Sequence, residues 1–474
     1  MSEVIGNLLI KFDKGDLISL KRVFSFILSL LIIVFSYPFS FLPTSYDKEL
    51  TMEESFKEFE VMENQNKTEY LVNEKTDLFN YYGIEYTSDG YCRGHIVFET
   101  FKGKTAEEDF FLEPGENMTF YSFIDGFLDK EKNKSVKTVS VENITGESFA
   151  MHGIKTFNRK VEKREVFISD EYYKLGIDLQ WGGALSYLED LNNDVESVKV
   201  DGIIKVDSNA SERYNKRAIS RHVNLINRFD AGRLVQQSYY GPMDIEGYPN
   251  GTFTDGNKWN YNPVQGGNKY KGCSKIVDIR KENNTLYVKC RPMDWAMPDE
   301  WITPSYMEAW YSLGGGRVHA SCRYTDWSGY PTCRMGVELP AFYCIEPLNR
   351  FVYYGGDKPW TGDTPDVEPS LDFWPISYPH FRSTENWAAF TGQFDDSFGI
   401  ALYSPLNDID FLSGVYGRNE TTDKDASKDC ATSYFAVTQT ANEWQFESYK
   451  PYEYDFYLTT GTVEEIRANF KEIK

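Results

Sequence analysis

Two neighbouring stretches of the sequence combine hydrogen-bonding side chains with aromatic rings in a way that suits a hydroxylated ligand. They read NRFDAGRLVQQSYYG (227–241) and WNYNPVQGG (259–267). Carboxylate, amide and guanidinium groups form planar, often bidentate hydrogen bonds, and Tyr or Trp rings cover weakly apolar faces. The alternative is a network of buried amides that fixes long loops to the body of the protein. The side chains expected to bind a ligand are Arg233, Gln236, Gln237, Tyr239, Trp259, Asn262 and Gln265.

Four side chains are candidates for acid–base catalysis. Glu308 in YMEAWYSL and Glu338 in GVELPAFY each interrupt an apolar, aromatic run, so burial is expected to raise the pKa of either carboxyl. Asp230 lies in the first polar stretch, and His319 in RVHASCRYTDW is of the type that transfers a proton near neutral pH. The alternative is that the histidine is structural and each glutamate forms a salt bridge to a nearby arginine, Arg317, Arg323 or Arg334.

The sequence lacks the motifs of several other kinds of site. It contains no G-x-x-x-x-G-K-[ST] for nucleotide phosphates, no G-x-S-x-G nucleophile elbow and no C-x-x-C pair for zinc. The acidic run DTPDVEPSLD (363–372) lacks the spacing of an EF-hand loop, so a surface loop explains it better than a calcium site. A net charge of −22, with no basic run, disfavours nucleic acid as a partner. We therefore expect no cofactor, no metal and no nucleic-acid partner.

The N-terminal region predicts a membrane anchor. Residues 23–42, VFSFILSLLIIVFSYPFSFL, contain no charged side chain, and about 20 apolar residues span a bilayer core as a helix. Lysines and an arginine precede this segment and acidic residues follow it, so the positive-inside rule leaves residues 1–22 in the cytoplasm. A cleaved signal peptide is the alternative, and both interpretations place the main body outside the cell. Eight N-x-[ST] sequons agree weakly with export and glycosylation.

The remaining chain predicts strands almost throughout. Residues 43–76 are rich in Glu, Lys and Asn and are interpreted as an exposed stalk. Alternating runs in 77–165, such as CRGHIVFETF, predict a small β-sandwich module, and recurrent β-propensity in 166–474 predicts a large two-sheet sandwich. TVEEIRANFKEI predicts a short closing helix. We therefore expect an all-β fold behind an N-terminal transmembrane helix.

The seven cysteines leave two interpretations open. Five of them lie between residues 273 and 344, where an exported protein could form bridges such as Cys322 with Cys333 or Cys273 with Cys290. The alternative is that they are small buried apolar side chains.

Several motifs together resemble a known family. YYKLGIDLQWGGALSYLED, NLINRFDAGRLVQQSYYG, WNYNPVQGG, ELPAFY and YYGGDKPWTGD are similar to those of an exported family of polysaccharide-using microbes with a galactose-mutarotase-like β-supersandwich. The resemblance covers about residues 165–460. It implies a fold, export and a carbohydrate context, but neither a reaction nor catalytic residues.

These observations predict an exported carbohydrate-active protein, a glycoside hydrolase or lyase that acts on a polysaccharide by acid–base chemistry. A hydrolase needs two carboxyl groups about 5 to 10 Å apart, whereas a lyase or epimerase pairs a base with a neutralising Arg or Tyr. The alternative is a non-catalytic surface protein for glycan binding or adhesion. A deep pocket that unites the candidate acids favours the enzyme, and an open aromatic platform favours the binding protein.

Overall fold

The computed structural model describes most of the chain after residue 46. The described residues are 47–52, 61–64, 67–71, 79–124, 136–143, 149–161, 164–192, 223–253, 256–298, 301–332, 337–368, 379–392, 398–416, 425–439 and 446–474. Within these ranges, no helix has the length and hydropathy needed to span a membrane. The predicted cytoplasmic segment 1–22 and membrane segment 23–42 lie outside the described residues.

The first nine strands form two small antiparallel sheets. Their orders are β1-β9-β4-β7 and β2-β3-β8-β5-β6. Every second residue of the fifth strand, CRGHIVFET, is buried, as expected of a strand with one face on a core. The strands are β1 (Asp47–Met52), β2 (Val61–Asn64), β3 (Lys67–Leu71), β4 (Tyr81–Ser88), β5 (Cys92–Thr100), β6 (Thr105–Leu112), β7 (Gly115–Phe123), β8 (Val136–Asn143) and β9 (Phe149–Val161).

The predicted stalk segment contains strands in the structure. β1 pairs with β9, and β3 pairs with both β2 and β8, so the first three strands extend the two small sheets. The domain boundaries drawn from the sequence stay predictions.

Nineteen further strands are described between residues 165 and 461. They are β10 (Glu165–Ser169), β11 (Tyr173–Asp178), β12 (Ala184–Asp190), β13 (Val235–Ser238), β14 (Pro263–Val264), β15 (Lys275–Glu282), β16 (Thr285–Arg291), β17 (Met293–Asp294), β18 (Ser305–Gly314), β19 (Arg317–Asp326), β20 (Glu338–Ile345), β21 (Leu348–Tyr353), β22 (Asp366–Glu368), β23 (His380–Phe381), β24 (Trp387–Gly392), β25 (Gly399–Tyr403), β26 (Ile409–Tyr416), β27 (Thr432–Gln439) and β28 (Pro451–Gly461).

These strands form the two large sheets of the second sandwich. The ten-stranded sheet has the order β10-β11-β12-β13-β20-β27-β26-β23, with β14 attached to β13 and β17 attached to β14. The nine-stranded sheet has the order β15-β16-β18-β19-β28-β25-β24-β21-β22. Val235 and Phe435 of the first sheet share one apolar core with Val288 and Met307 of the second. The prediction of an all-β chain is therefore confirmed.

The described chain ends with a helix, α1 (Val463–Lys471). Thr462 caps its first turn, because the hydroxyl accepts from the backbone N–H of Glu465 and the Glu465 carboxylate accepts from the backbone N–H of Thr462. Ile466 and Phe470 are buried against the sandwich. The predicted closing helix is confirmed.

The two sandwiches pack directly on each other. Tyr306 and Trp327 of the large sandwich are buried among the apolar side chains of the small one. The Tyr81 hydroxyl donates to the carbonyl of Ile276 at 2.7 Å. Glu108 and Arg291 form an ion pair across the same contact, with side chains only 9% exposed.

The suggested bridge between Cys273 and Cys290 is not formed, and that suggestion is wrong. Both thiols are free, as is that of Cys322. Cys290 is fully buried in the core of the large sandwich, where it packs as a small apolar side chain. Burial raises the pKa of its thiol. Cys333 lies outside the described residues.

Candidate functional site

A cavity of about 790 Å³ opens on the outer face of the ten-stranded sheet. Its floor follows from strand alternation. In β20, Phe342 and Cys344 point into the core, whereas Tyr343 faces the cavity. In β27, Phe435 is in the core and Tyr434 faces the cavity, next to Tyr343 with ring centroids 4.5 Å apart. The cavity is therefore built on a sheet that is apolar on both faces.

Aromatic rings from the connecting loops form most of the walls. Trp259 stacks on Phe253 with centroids 4.4 Å apart and planes 19° apart. Trp295 approaches Gly232 so closely that a Cβ atom there would lie 2.4 Å from the ring. The aromatic side chains that line the cavity are Trp181, Phe229, Tyr240, Phe253, Trp259, Trp295, Tyr343 and Tyr434.

The wall that carries Trp181 depends on a glycine, Gly182. Trp181 lies in a 3₁₀ turn, Leu179–Trp181, and the guanidinium of Arg164 lies 4.0 Å from its ring centroid. Gly182 follows with a φ of 59°, and a Cβ atom there would lie 1.9 Å from the carbonyl oxygen of Gln265. Only glycine fits this conformation and this contact.

Glu338 is the carboxyl group at the floor of the cavity. It begins β20 opposite Ser238 of β13. The Tyr434 hydroxyl donates to its Oε1 atom. Burial raises the pKa of this carboxyl, and hydrogen bonds with Tyr434, Tyr240 and Ser238 only partly oppose the shift. The predicted raised pKa of Glu338 is therefore confirmed.

Asp230 and Arg233 face the same cavity as an ion pair. Nη1 of Arg233 lies 2.5 Å from Oδ2 of Asp230, and Nη2 donates to the carbonyl of Cys430 at 2.7 Å. The Arg233 side chain is only 4% exposed, whereas that of Asp230 is 43% exposed. The carboxylate of Asp230 is therefore accessible from the cavity, whereas the guanidinium of Arg233 is buried and pairs with it.

The buried side-chain amides of Gln236 and Asn262 form hydrogen bonds to other groups of the protein. Gln236 donates to the carbonyls of Ala231 and Arg233, and its Oε1 accepts from the N–H of Gly266 at 2.7 Å. Asn262 donates to the carbonyl of Tyr239 at 2.7 Å, and its Oδ1 accepts from the indole of Trp259 at 3.1 Å. Both residues line the cavity, but backbone and indole groups already use these amides. Their hydrogen bonds join neighbouring loops and strands, and the prediction that they bind a ligand stays a prediction.

Three predicted ligand residues lie outside the cavity. Gln237 donates to the carbonyl of Glu308 at 2.9 Å, and Gln265 donates to that of Gly182 at 3.3 Å. Tyr239 is 4% exposed, with its ring centroid 4.9 Å from that of Tyr324. All three side chains are buried in the protein and do not reach the cavity, although they are close in sequence to residues that line it.

Glu308 lies on the other large sheet, in an ion pair. Arg323 donates to both carboxylate oxygens at 2.9 and 3.1 Å, and the Tyr287 hydroxyl donates at 2.7 Å. Burial favours the neutral acid, but the charges of Lys289 and Arg323 outweigh it and hold the pKa of Glu308 below its ordinary value. The expected raised pKa of Glu308 is therefore wrong, and the salt-bridge alternative describes this residue.

His319 also lies outside the cavity, on the nine-stranded sheet. Its Nε2 is 2.8 Å from Oδ1 of Asp455, and its ring stacks on Tyr457 with centroids 4.5 Å apart. Of the four acid–base candidates, the structure brings Asp230 and Glu338 to one cavity and leaves Glu308 and His319 elsewhere.

Sequence reasoning missed several side chains at this site. Gln180, Trp181 and Trp295 line the cavity from turns, and His380 lines it from a two-residue strand. Tyr343 and Tyr434 could have been predicted from the sequence. Each is an aromatic residue between two core-facing positions of a strand, and this pattern indicates that the outer face of the strand is apolar as well. Among the described residues, no group of three or more His, Cys, Asp or Glu side chains is arranged to hold a metal ion.

Comparison of the sequence with protein-family models and with curated proteins gives no match. Among solved structures, the chain is similar to a putative aldose 1-epimerase from Escherichia coli K12, with 10% identity and a TM-score of 0.37 over 63% of this chain and 99% of that one. It is also similar to a galactose mutarotase related enzyme from Lactobacillus acidophilus, with 9% identity and a TM-score of 0.33 over 63% and 97%.

The chain is also similar to part of a longer solved structure. It is a GH36 α-galactosidase from Geobacillus stearothermophilus, with 9% identity and a TM-score of 0.33 over 64% of this chain but only 41% of that one. The solved neighbours carry aldose 1-epimerase, galactose mutarotase and α-galactosidase names.

Proposed function

We propose that the cavity binds a carbohydrate and that Glu338 acts there as a general acid on a glycoside or polysaccharide. The observation that carries this proposal is a cavity of about 790 Å³ with an aromatic lining and a desolvated carboxyl group at its floor. Ligand sites in proteins are of this size and are lined mainly by apolar and aromatic groups around a few polar ones.

The rings support a sugar ligand. Trp259 and Trp295 line the cavity, and the C–H face of a sugar ring packs on aromatic rings of this kind. The exposed side chain of Gln180 also lines the cavity and provides hydrogen-bonding groups for hydroxyls.

The electrostatics support acid–base chemistry. A general acid must hold its proton near the working pH, and burial raises the pKa of Glu338 in that direction. Asp230 supplies a second carboxyl group, and Arg233 pairs with its charged form. We assign proton donation to Glu338 and the ionised carboxylate role to Asp230.

The test is a panel of glycosides and polysaccharides incubated with the purified full-length protein. The readouts are new reducing ends for hydrolysis and ultraviolet absorbance of unsaturated products for elimination. We expect Glu338→Gln to lower turnover by about 10²- to 10⁴-fold, the usual contribution of a general acid. Glu282→Gln is the matched control, because Glu282 is an exposed glutamate at the end of β15. Equal turnover in the two variants contradicts the assignment of Glu338.

A second candidate function is glycan binding without turnover. Its specific support is that both carboxyl groups of the cavity are already engaged, Glu338 by Tyr434 and Asp230 by Arg233. In that case, titration calorimetry detects binding to a glycan of the panel, whereas no product forms with any of them.

We also propose that the described body lies outside the cell, held by residues 23–42. The support is the uncharged segment with lysines before it and acidic residues after it. External protease added to intact cells tests this proposal. Protection of residues 47–474 from the protease contradicts it.

A further inference from the structure

The polar groups of the cavity divide into those that the protein already uses and those that remain for a ligand. Gln236 and Asn262 are bonded to the loops, and Asp230 is paired with Arg233. Burial favours the neutral form of Glu338. The remaining charged groups that line the cavity are therefore basic.

Lys269 and Lys271 line the cavity from one well-fixed turn. The Oδ1 atom of Asn268 accepts from the backbone N–H groups of Tyr270 at 3.0 Å and Gly272 at 2.7 Å, and its Nδ2 donates to the carbonyl of Met297 at 3.3 Å. These bonds fix the backbone that carries both lysines.

The two ammonium groups have different surroundings. Lys269 donates to the carbonyl of Thr252 and lies 4.9 Å from the ring centroid of Tyr270. The exposed side chain of Lys271 has no hydrogen bond or ion pair within the part of the chain that the structure describes. Lys271 is exposed where it lines the cavity, so its ammonium group is accessible to a ligand.

The charge of this cavity is opposite to that of the protein. The Asp230–Arg233 pair is neutral, and Lys269 and Lys271 outnumber the one remaining carboxyl group, Glu338, so the lining is positive on a chain of net charge −22. Because Lys271 is exposed, its attraction for an anion is moderate and is screened by salt. A neutral sugar gains nothing from this arrangement.

We propose that the ligand of the cavity is an anionic sugar, one that carries a carboxylate or a sulfate group, and that Lys271 binds the anionic group. This inference rests on the proposed carbohydrate site and specifies its substrate class. The aromatic walls bind the ring of the sugar, and Lys269 adds long-range attraction to the contact of Lys271.

The experiment compares matched oligosaccharides by titration calorimetry with the full-length protein. The panel contains oligouronates of galacturonic, glucuronic and mannuronic acid, their neutral methyl esters, neutral oligosaccharides and sulfated galactans. We expect at least one anionic ligand to bind about tenfold more tightly than its neutral counterpart at about 20 mM salt. This advantage should fall at about 500 mM salt, where the Debye length is about 4 Å. Comparison of the oligouronates with the sulfated galactans identifies whether the bound group is a carboxylate or a sulfate.

Variants test the role of Lys271. Lys271→Gln should weaken binding of the anionic ligand about three- to tenfold and leave the neutral ester unchanged. Lys104→Gln is the control, since Lys104 is an exposed lysine between β5 and β6 of the small sandwich. The inference is overturned if the neutral esters bind as tightly as the acids, or if Lys271→Gln and Lys104→Gln have the same effect. Either result leaves the proposed carbohydrate site itself intact. Absence of binding across the whole panel overturns the proposed function as well.

Discussion

The replacement Gln236→Leu tests whether the amides of the cavity support the protein or the ligand. The Gln236 side chain is 3% exposed and forms three hydrogen bonds, to two carbonyls and one backbone N–H. Each such bond contributes about 1 kcal/mol net, and a buried group left without a partner adds a desolvation penalty. Because leucine satisfies none of the three partners, we expect the free energy of unfolding to fall by about 3 kcal/mol.

The matched control is Gln180→Leu. Gln180 lines the same cavity, but its side chain is exposed and forms no hydrogen bond within the described ranges. Its replacement should change the free energy of unfolding by less than about 0.5 kcal/mol, as is usual at the surface. Under the proposed function, it should weaken sugar binding about three- to tenfold, since a ligand hydrogen bond is lost.

Urea unfolding of the full-length variants, followed by tryptophan fluorescence, measures both stabilities. The midpoint for Gln236→Leu should fall with little change in the slope, and that for Gln180→Leu should stay near the wild-type value. The reasoning is refuted if Gln236→Leu leaves the midpoint unchanged but abolishes ligand binding, because its amide would then face the ligand.

Three further predictions follow from the same contacts. Glu308→Gln removes the buried charge partner of Arg323 and should lower the free energy of unfolding by about 3 kcal/mol, measured by urea unfolding. Any turnover at the cavity should persist in this variant, as measured with the glycoside panel. Glu338 has a folded-state pKa above its unfolded value, so its contribution to stability is complete below about pH 4 and is lost as pH rises through the folded value. The stability of Glu338→Gln relative to the wild type should therefore increase with pH, and a flat difference in urea midpoints between about pH 4 and 8 contradicts this desolvation. Gly182→Ala forces a side chain onto the Gln265 carbonyl at positive φ and should lower the thermal midpoint by several degrees, whereas the same change at exposed Gly314, where a Cβ atom meets nothing within 4 Å, should have little effect.

Much of the fold could be predicted from local patterns. The alternation in CRGHIVFETF gave β5, and the apolar positions of TVEEIRANFKEI gave α1. The segment 47–71 was not predicted as strand, because its polar composition carries no core-facing signal. Its strands form by pairing with β8 and β9, which follow it far along the chain.

The candidate site was predicted in part, and the two glutamates show why. Glu308 and Glu338 both interrupt apolar strands, but only Glu308 has an arginine opposite it. The sequence contains the information needed to predict this difference. A two-residue turn at Gly315 and Gly316 sets the register of β18 and β19 and places Arg323 across from Glu308.

The amides could not be assigned in the same way. A sequence shows that Gln236 and Asn262 need partners, but the partners are backbone groups in other loops and strands. No local pattern distinguishes such a partner from a sugar hydroxyl.

The placement of Tyr306 and Trp327 in the core of the small sandwich has a consequence for truncation. These residues belong to the large sandwich by sequence, yet the side chains that exclude water from them come from β5 and β6 and their neighbours. A chain that lacks residues 1–164 would expose both rings to solvent. It would also expose the guanidinium of Arg291, which would have lost its partner Glu108. The two sandwiches should accordingly unfold in a single cooperative transition, and neither half is expected to remain monomeric when expressed alone.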